Sequence, residues 1–165
     1  MKKLWVISQR KSDSYTKKVI SLILLVSIVL LSYWLWLSLR SVEIVAVHQE
    51  GSHSSVLVKS FPLTDKGKIN WWLKNKEMLK SKYNIPEPDV DGSFTVVFWY
   101  FGDGYKEEGK YDRRCFEDMK TKVNCIDKDK AFTVWNSRSN VVSFGVNDGE
   151  YRINKEGAMI KTEYR

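Results

Sequence analysis

The amino-acid sequence predicts an α+β protein, in which one N-terminal transmembrane helix precedes a small antiparallel-sheet domain with one principal helix. Three features of the 165 residues support this fold class. An uncharged apolar run occupies residues 19–39, one amphipathic segment lies near residues 65–83, and short strand-like segments separated by turns fill most of the remainder. We therefore predict a basic tail over residues 1–18, a membrane span over residues 19–39 and one folded domain over residues 40–165.

The apolar run VISLILLVSIVLLSYWLWLSL contains no charged residue, glycine or proline. At about 1.5 Å rise per residue, its helix spans ~31 Å, which matches a hydrocarbon core about 30 Å thick. A buried helix of a soluble domain would show a polar stripe, and here only four serines interrupt the apolar surface. A cleaved signal peptide has a shorter apolar core, of about 7–15 residues, and a small-residue cleavage site. The run is therefore predicted to be an uncleaved signal anchor.

The net charge of +7 is concentrated beside this run. Residues 1–18 contain six lysines or arginines and one acid, whereas residues 40–59 contain only Arg40 and Lys59 as cations. Because cationic residues next to a span are retained in the cytoplasm, we predict a cytoplasmic N-terminus and a domain outside the cytoplasm. Cations in this position attract anionic lipid head groups, so the lipid bilayer is an expected partner and nucleic acid is not.

Cys115 and Cys125 are the only cysteines, and their spacing permits a disulfide bond. Such a bond persists in an oxidising compartment, in agreement with the predicted orientation. A disulfide bond that closes a loop of this size would stabilise the folded domain by roughly 2.5–3 kcal/mol. The alternative is a pair of reduced, half-buried thiols. Zinc is disfavoured because two further ligands are needed and no histidine is near, and the spacing differs from the Cys-x-x-Cys of thiol oxidoreductases.

The folded domain is predicted to begin with a hairpin of residues 42–47 and 54–61, with Gly51 in the turn. Residues 93–101 are apolar on both faces and are typical of a central strand. The charged segment 105–130 is expected to form a short strand and then a loop or short helix stapled by the disulfide. Four further short strands are predicted at residues 131–135, 141–146, 150–153 and 158–162, as an antiparallel meander.

One helix is predicted between the hairpin and the central strand. Pro62 ends the preceding strand, Thr64 or Asp65 caps the helix, and the helical pattern continues to about Tyr83. Six residues are expected to share the face that packs on the sheet: Ile69, Trp72, Leu73, Lys76, Leu79 and Tyr83.

Residues with catalytic or metal-binding chemistry are sparse. His48 and His53 flank the predicted turn with Glu50 between them, but surface loops carry histidines for no special reason, and a catalytic zinc needs three ligands with supporting hydrogen bonds. Four acids are expected to lie at a solvated hairpin tip and lack calcium-loop spacing: Asp103, Glu107, Glu108 and Asp112. No nucleophile elbow, phosphate-binding loop or zinc-protease motif is present. We therefore predict no catalytic residue, metal site or cofactor, and no enzyme.

Aromatic residues are abundant in and beside the predicted helix and central strand. The run Phe98-Trp99-Tyr100-Phe101 points alternate rings to opposite faces of a sheet, so one pair faces the helix and the other needs a second cover or a ligand. Aromatic residues beside charged rims are typical of protein-binding surfaces. Five residues are expected to contact a protein partner: Trp71, Trp99, Phe101, Tyr105 and Tyr111.

The sequence resembles a known family over nearly its whole length. The segments DKGKINWWL and FGDGYKEEGKYD, together with flanking sequence, are similar to the enterobacterial membrane proteins grouped as domain of unknown function 943 (DUF943). The resemblance implies a bacterial inner-membrane protein, whose folded domain is then periplasmic. It implies no activity, cofactor or catalytic residue.

Three functional hypotheses of different classes follow. The first is a membrane-anchored periplasmic binding module, of the immunity type that neutralises a toxin acting in the periplasm. The second is an accessory subunit of an inner-membrane or envelope complex, in which Ser21, Ser27 and Trp34 contribute to helix contacts. Exchange of residues 19–39 for an unrelated span distinguishes them, because only the accessory subunit depends on its own helix. An envelope enzyme is the third reading, and alanine at His48, Asp103 and Asp112 would test it.

Overall fold

The computed structural model of the protein describes residues 2–38, 40–138, 141–147, 149–154 and 156–162. The chain divides into two units, Met1–Arg40 and Ser41–Arg165. The first unit consists of helix α1 (Lys2–Ser38). The second contains, in chain order, β1 (Glu43–Glu50), β2 (His53–Lys59), α2 (Asp65–Tyr83), β3 (Phe94–Tyr100), β4 (Lys106–Glu107), β5 (Arg113–Cys115), β6 (Val123–Asp127), β7 (Lys130–Asn136), β8 (Val142–Val146), β9 (Gly149–Ile153) and β10 (Met159–Thr162).

Helix α1 contains the candidate membrane span. Its segment Tyr15–Leu37 has a mean hydropathy of 2.4 and is long and apolar enough to cross a bilayer. The helix begins at Lys2 and so also includes most of the predicted basic tail. Its apolar side chains, such as Leu31 and Leu35, are exposed, as expected of side chains that face lipid. The Ser27 hydroxyl donates to the Ile23 carbonyl oxygen over 2.9 Å, so this polar group is satisfied within its own helix.

The second unit is built on a seven-stranded sheet with the order β1-β2-β3-β7-β8-β9-β10. Five of the six strand pairs are antiparallel, and β2 and β3 are parallel. A parallel pair needs a crossover connection, and α2 supplies it here. The predicted α+β class is confirmed, with the hairpin, the central strand and the four-strand meander in the expected order. The parallel pair is an addition that the alternation of the strands did not reveal.

Helix α2 has clear start and stop signals. The Thr64 side chain accepts a hydrogen bond from the Gly67 amide over 3.1 Å, and Asn84 adopts a left-handed conformation with φ of 56° at the C-terminus. The predicted boundaries are therefore confirmed. The buried face is narrower than predicted, because Leu73 and Lys76 are exposed. Four residues of α2 are buried: Lys68, Ile69, Trp72 and Leu79.

Lys68 is a buried cation in this face of α2. Its side chain is 6% exposed, and its ammonium donates to the Ala131 carbonyl oxygen over 2.8 Å. The register between β3 and β7 shifts at this point, so that Ala131 has no directly opposite residue on β3. The lysine thus satisfies a carbonyl group at the bulge, in keeping with the rule that buried polar groups are hydrogen-bonded.

Side chains of the inner strands alternate between two hydrophobic cores, one on each face of the large sheet. Val56, Val58 and Phe98 are fully buried in the core that includes α2. Leu57 and Trp99, their sequence neighbours, pack in a second and smaller core. This alternation follows from the two-residue period of a strand. It confirms the expectation that the rings of residues 98–101 that face away from the helix must pack against a second structural element.

The second cover is a three-stranded sheet with the order β4-β6-β5. Its buried side chains Phe116 and Ile126 pack on Leu57. Cys115 and Cys125 form a disulfide bond and face each other across β5 and β6. The prediction of one short strand followed by a loop or short helix is therefore wrong for this segment. Strands of two or three residues carry no readable period, so only the tertiary packing reveals them.

Candidate functional site

A hydrogen-bonded array of Asp118, His48 and Tyr105 lies where the three-stranded sheet meets β1. His48 is 8% exposed, and its Nδ1 lies 2.9 and 2.8 Å from the two carboxylate oxygens of Asp118. Its Nε2 lies 2.7 Å from the Tyr105 hydroxyl oxygen. Because a carboxylate only accepts, Nδ1 carries a proton and donates to Asp118, while Nε2 and the Tyr105 hydroxyl form the second hydrogen bond of the ring. The Phe116 ring stacks on the imidazole, with centroids 3.8 Å apart.

The chemistry of this array favours a structural role over a catalytic one: the array acts as a structural tie, a set of hydrogen bonds that joins separate parts of the domain. Burial raises the pKa of the Tyr105 phenol, and the negative charge of Asp118 raises it further. The phenol therefore keeps its proton as a donor, and a reactive phenolate is disfavoured. The array links β1 to Tyr105, which precedes β4, and to Asp118, which lies between β5 and β6. It therefore helps to hold the three-stranded sheet over the second core.

A polar pocket of about 160 Å³ lies beside the array. Charges of both signs line it, and Arg114 and Glu50 form an ion pair across 3.4 Å. No group of three or more histidine, cysteine, aspartate or glutamate side chains is placed to hold a metal ion in the part of the chain that the structure describes. His48 lies on β1 and His53 begins β2, so the two histidines flank the turn as predicted. His48 is buried, however, and does not lie in a surface loop.

An apolar groove of about 420 Å³ lies on the opposite side of the large sheet, between α2, the segment after it and one end of the strands. Phe94 begins β3, Val142 begins β8 and Ile153 ends β9, and the strand register brings these ends together. Eight apolar residues line the groove: Trp72, Leu73, Pro86, Pro88, Phe94, Val142, Phe144 and Ile153. Three charged residues of α2 also line it: Lys76, Glu77 and Lys80.

Residues 12–163 match the protein family described as enterobacterial putative membrane protein (DUF943). The chain belongs to this family. The match covers most of both units, and it confirms the resemblance carried by the segments DKGKINWWL and FGDGYKEEGKYD. No curated protein and no solved structure matches the chain.

The aromatic residues predicted to contact a partner are mostly engaged within the fold of this DUF943 protein. The Trp71 ring packs edge-on against Phe61 and Phe98, with centroids 5.3 and 5.7 Å apart. Trp99 is half-buried in the second core. These two indoles therefore contribute to packing, and their role in partner binding remains a prediction.

The other three predicted contacts lie near the three-stranded sheet. Phe101 packs edge-on against Tyr105 with centroids 5.1 Å apart, and both rings are half-buried. Tyr111 is 63% exposed, between the cations of Lys110 and Arg113. Of the five predicted residues, only Tyr111 therefore presents most of its ring to solvent.

Sequence reasoning missed the groove, although one signal was available. Leu73 and Lys76 were assigned to the buried face of α2, and the structure places both at the groove. The predicted apolar face of α2 is wider than the part of the helix that packs on the sheet. Such an excess of apolar surface is the signal that a helix has a second apolar contact. Phe94, Val142 and Ile153 could not be associated with that stripe, because the pairing of three separate strands brings them together.

Proposed function

We propose that this DUF943 protein is an inner-membrane-anchored periplasmic binding module, whose folded domain binds a protein partner through the apolar groove. Helix α1 serves as the anchor, and its basic N-terminal end supports a cytoplasmic N-terminus. The Cys115–Cys125 bond supports an oxidising location for the domain. No catalytic role is part of this proposal.

The groove is the observation that carries the proposal. Its volume of about 420 Å³ lies in the range of about 300–1,000 Å³ that is usual for binding pockets. Leu73 and Val142 are 37% and 36% exposed, beside the indole of Trp72. Apolar side chains gathered in a concave surface with a charged rim are typical of protein-binding sites. A partner side chain placed there would remove this apolar area from water.

Site-specific photocrosslinking in cells tests the proposal. A photoreactive phenylalanine analogue would replace Leu73, in the groove, or Val90, which is fully exposed and does not line it. We expect a defined crosslinked protein species from position 73 that is absent from position 90. Equal crosslinking from both positions, or none from position 73 in an expressed and membrane-inserted protein, would contradict a binding role for the groove.

The compartment of the domain is tested separately. A membrane-impermeant reagent that reacts with lysine should label the C-terminal domain in cells with a permeabilised outer membrane. Labelling only after the inner membrane is disrupted would reverse the proposed orientation and remove the periplasmic assignment.

Within this proposal, a toxin-neutralising role and an accessory-subunit role differ in whether partner binding depends on the sequence of the membrane-anchoring helix. The internal hydrogen bond of Ser27 supports a helix that serves as a simple anchor, because this hydroxyl needs no partner helix. We expect a protein whose span is exchanged for an unrelated apolar helix to retain groove-dependent crosslinking. Loss of that crosslink, with normal membrane insertion, would favour the accessory subunit.

A further inference from the structure

We infer that the partner of the groove presents an acidic segment, in which large apolar side chains are flanked by aspartate or glutamate. This inference rests on the proposed function and adds the chemistry of the partner. The basis is the charge of α2, whose exposed surface carries five lysines and one acid. These exposed charged residues are Lys66, Lys74, Lys76, Lys80 and Lys82, with Glu77 as the acid.

Within the part of the chain that the structure describes, the lysines of α2 lack the carboxylate partners that many other cations of the domain have. Among the described residues, seven cationic side chains outside α2 lie within 4.0 Å of a carboxylate, and no α2 lysine does. The seven are Lys59, Lys106, Arg113, Arg114, Lys128, Arg138 and Arg152, and His48 also faces a carboxylate. These seven cations are thus paired within the domain, whereas α2 carries several exposed lysines without a described carboxylate partner on one helix and leaves positive charge available for another molecule.

Two of these lysines lie directly at the groove. The Lys80 ammonium donates to the Asn84 side-chain oxygen over 2.9 Å and to the Pro86 carbonyl oxygen over 3.0 Å, and both acceptors are uncharged. Lys80 therefore lies beside the groove, and no carboxylate in the described part of the domain neutralises its positive charge. Lys76 precedes it by four residues, so the two like charges share one helix face and repel. A carboxylate between them would relieve that repulsion.

The groove favours a protein segment over a lipid surface as the source of this negative charge. Anionic lipid head groups also attract lysines, but they meet a protein as an extended surface. Here the apolar floor is concave, and Pro86 and Pro88, in the segment that follows α2, also line it. A protruding side chain such as leucine or phenylalanine fits this floor, with neighbouring carboxylates placed at Lys76 and Lys80. Charge complementarity of this kind also selects against basic partners.

A displayed library of random twelve-residue peptides tests the inference. The bait is the full-length protein in nanodiscs of phosphatidylcholine, which has no net charge. We expect the captured peptides to be enriched in aspartate and glutamate next to large apolar residues. The variant K76E/K80E should weaken binding of these peptides at least tenfold, and binding to the unchanged protein should fall as salt is added. The control K120E/K122E makes the same change of net charge at exposed lysines away from α2 and should bind normally.

The outcomes separate this inference from the proposed function. Capture that depends on the groove but shows no acidic enrichment, or that falls equally in both charge variants, would overturn the inference alone. Capture that is absent, or that survives L73D, would count against the groove itself and therefore against the proposed function. Leu73 is partly exposed, so circular dichroism should show that L73D folds normally. Loss of peptide binding when phosphatidylglycerol is added to the nanodiscs would assign the lysines to the lipid surface and overturn the inference.

Discussion

Removing the disulfide with the double substitution Cys115→Ala/Cys125→Ala should destabilise the folded domain by roughly 2.8 kcal/mol. The bond joins residues ten positions apart on neighbouring strands, and the chain-entropy model attributes about this free energy to a closed loop of that length. The cost arises because the unfolded chain regains the freedom that the bond had removed.

Urea unfolding of the full-length protein in detergent micelles, followed by tryptophan fluorescence, measures this cost. With a slope of about 1–3 kcal/mol per molar urea, the midpoint should fall by about 1–3 M. A reducing agent should shift the natural protein by a similar amount and leave the double variant unchanged, which is the internal control. Hydrogen exchange should show the largest loss of protection in β5 and β6, the strands that the bond joins.

Two results would refute the reasoning about the disulfide. One is a double variant whose midpoint stays within about 0.3 M of the natural protein, although mass spectrometry shows that the natural protein is fully oxidised. The other is a reducing agent that lowers the midpoint of both proteins equally, because the effect would then come from the reagent and not from the bond.

Three other perturbations follow from single contacts, and urea midpoints measure each of them. His48→Ala should cost about 2–3 kcal/mol, because it removes charge-assisted hydrogen bonds and a buried ring, and a cost below about 0.5 kcal/mol would contradict the structural tie. Lys68→Met should cost about 1–3 kcal/mol, because the Ala131 carbonyl loses its donor, and an unchanged midpoint would show that this hydrogen bond contributes nothing. The hydrogen bond from the Lys106 ammonium holds the pKa of Asp127 below its ordinary value of 3.8. The stability that this carboxylate contributes is therefore complete at neutral pH and is lost as the pH falls through its folded-state pKa, so the difference between the natural protein and Asp127→Asn should be largest near pH 7 and should shrink as the pH is lowered into the acid range. A difference that stays the same as the pH is lowered would show that the substitution acts through packing.

Much of the fold could be predicted because its signals are local. The Thr64 cap and the left-handed Asn84 define α2 within a few residues of chain, and strand alternation predicted the first hairpin and the final meander. The apolar run at residues 93–101 correctly predicted a strand with neighbours on both sides and a core on each face, and the observed strand is Phe94–Tyr100. These patterns depend only on periodicity and turn chemistry, which a single sequence displays.

The candidate sites were harder to predict because their residues are distant in the chain. His48 and Asp118 are separated by 70 positions, and nothing near either residue marks it as the partner of the other. The groove combines a helix, a proline-containing segment and the ends of three strands. The parallel pairing of β2 with β3 also has no local mark, since it results from the way α2 crosses the sheet.

The sequence by itself determined the candidate membrane span, the basic N-terminal end, the α+β class and the family, because continuous hydropathy, charge and short motifs carry each of them. Only the tertiary structure decided which aromatic side chains are buried, that a three-stranded sheet packs on the second face of the large sheet, and where the apolar groove lies. The physical reason is that burial and cavity shape depend on the pairing of distant strands and on the path of one helix across them. Those arrangements place Lys76 and Lys80 beside an apolar floor, and no segment of the sequence contains that combination.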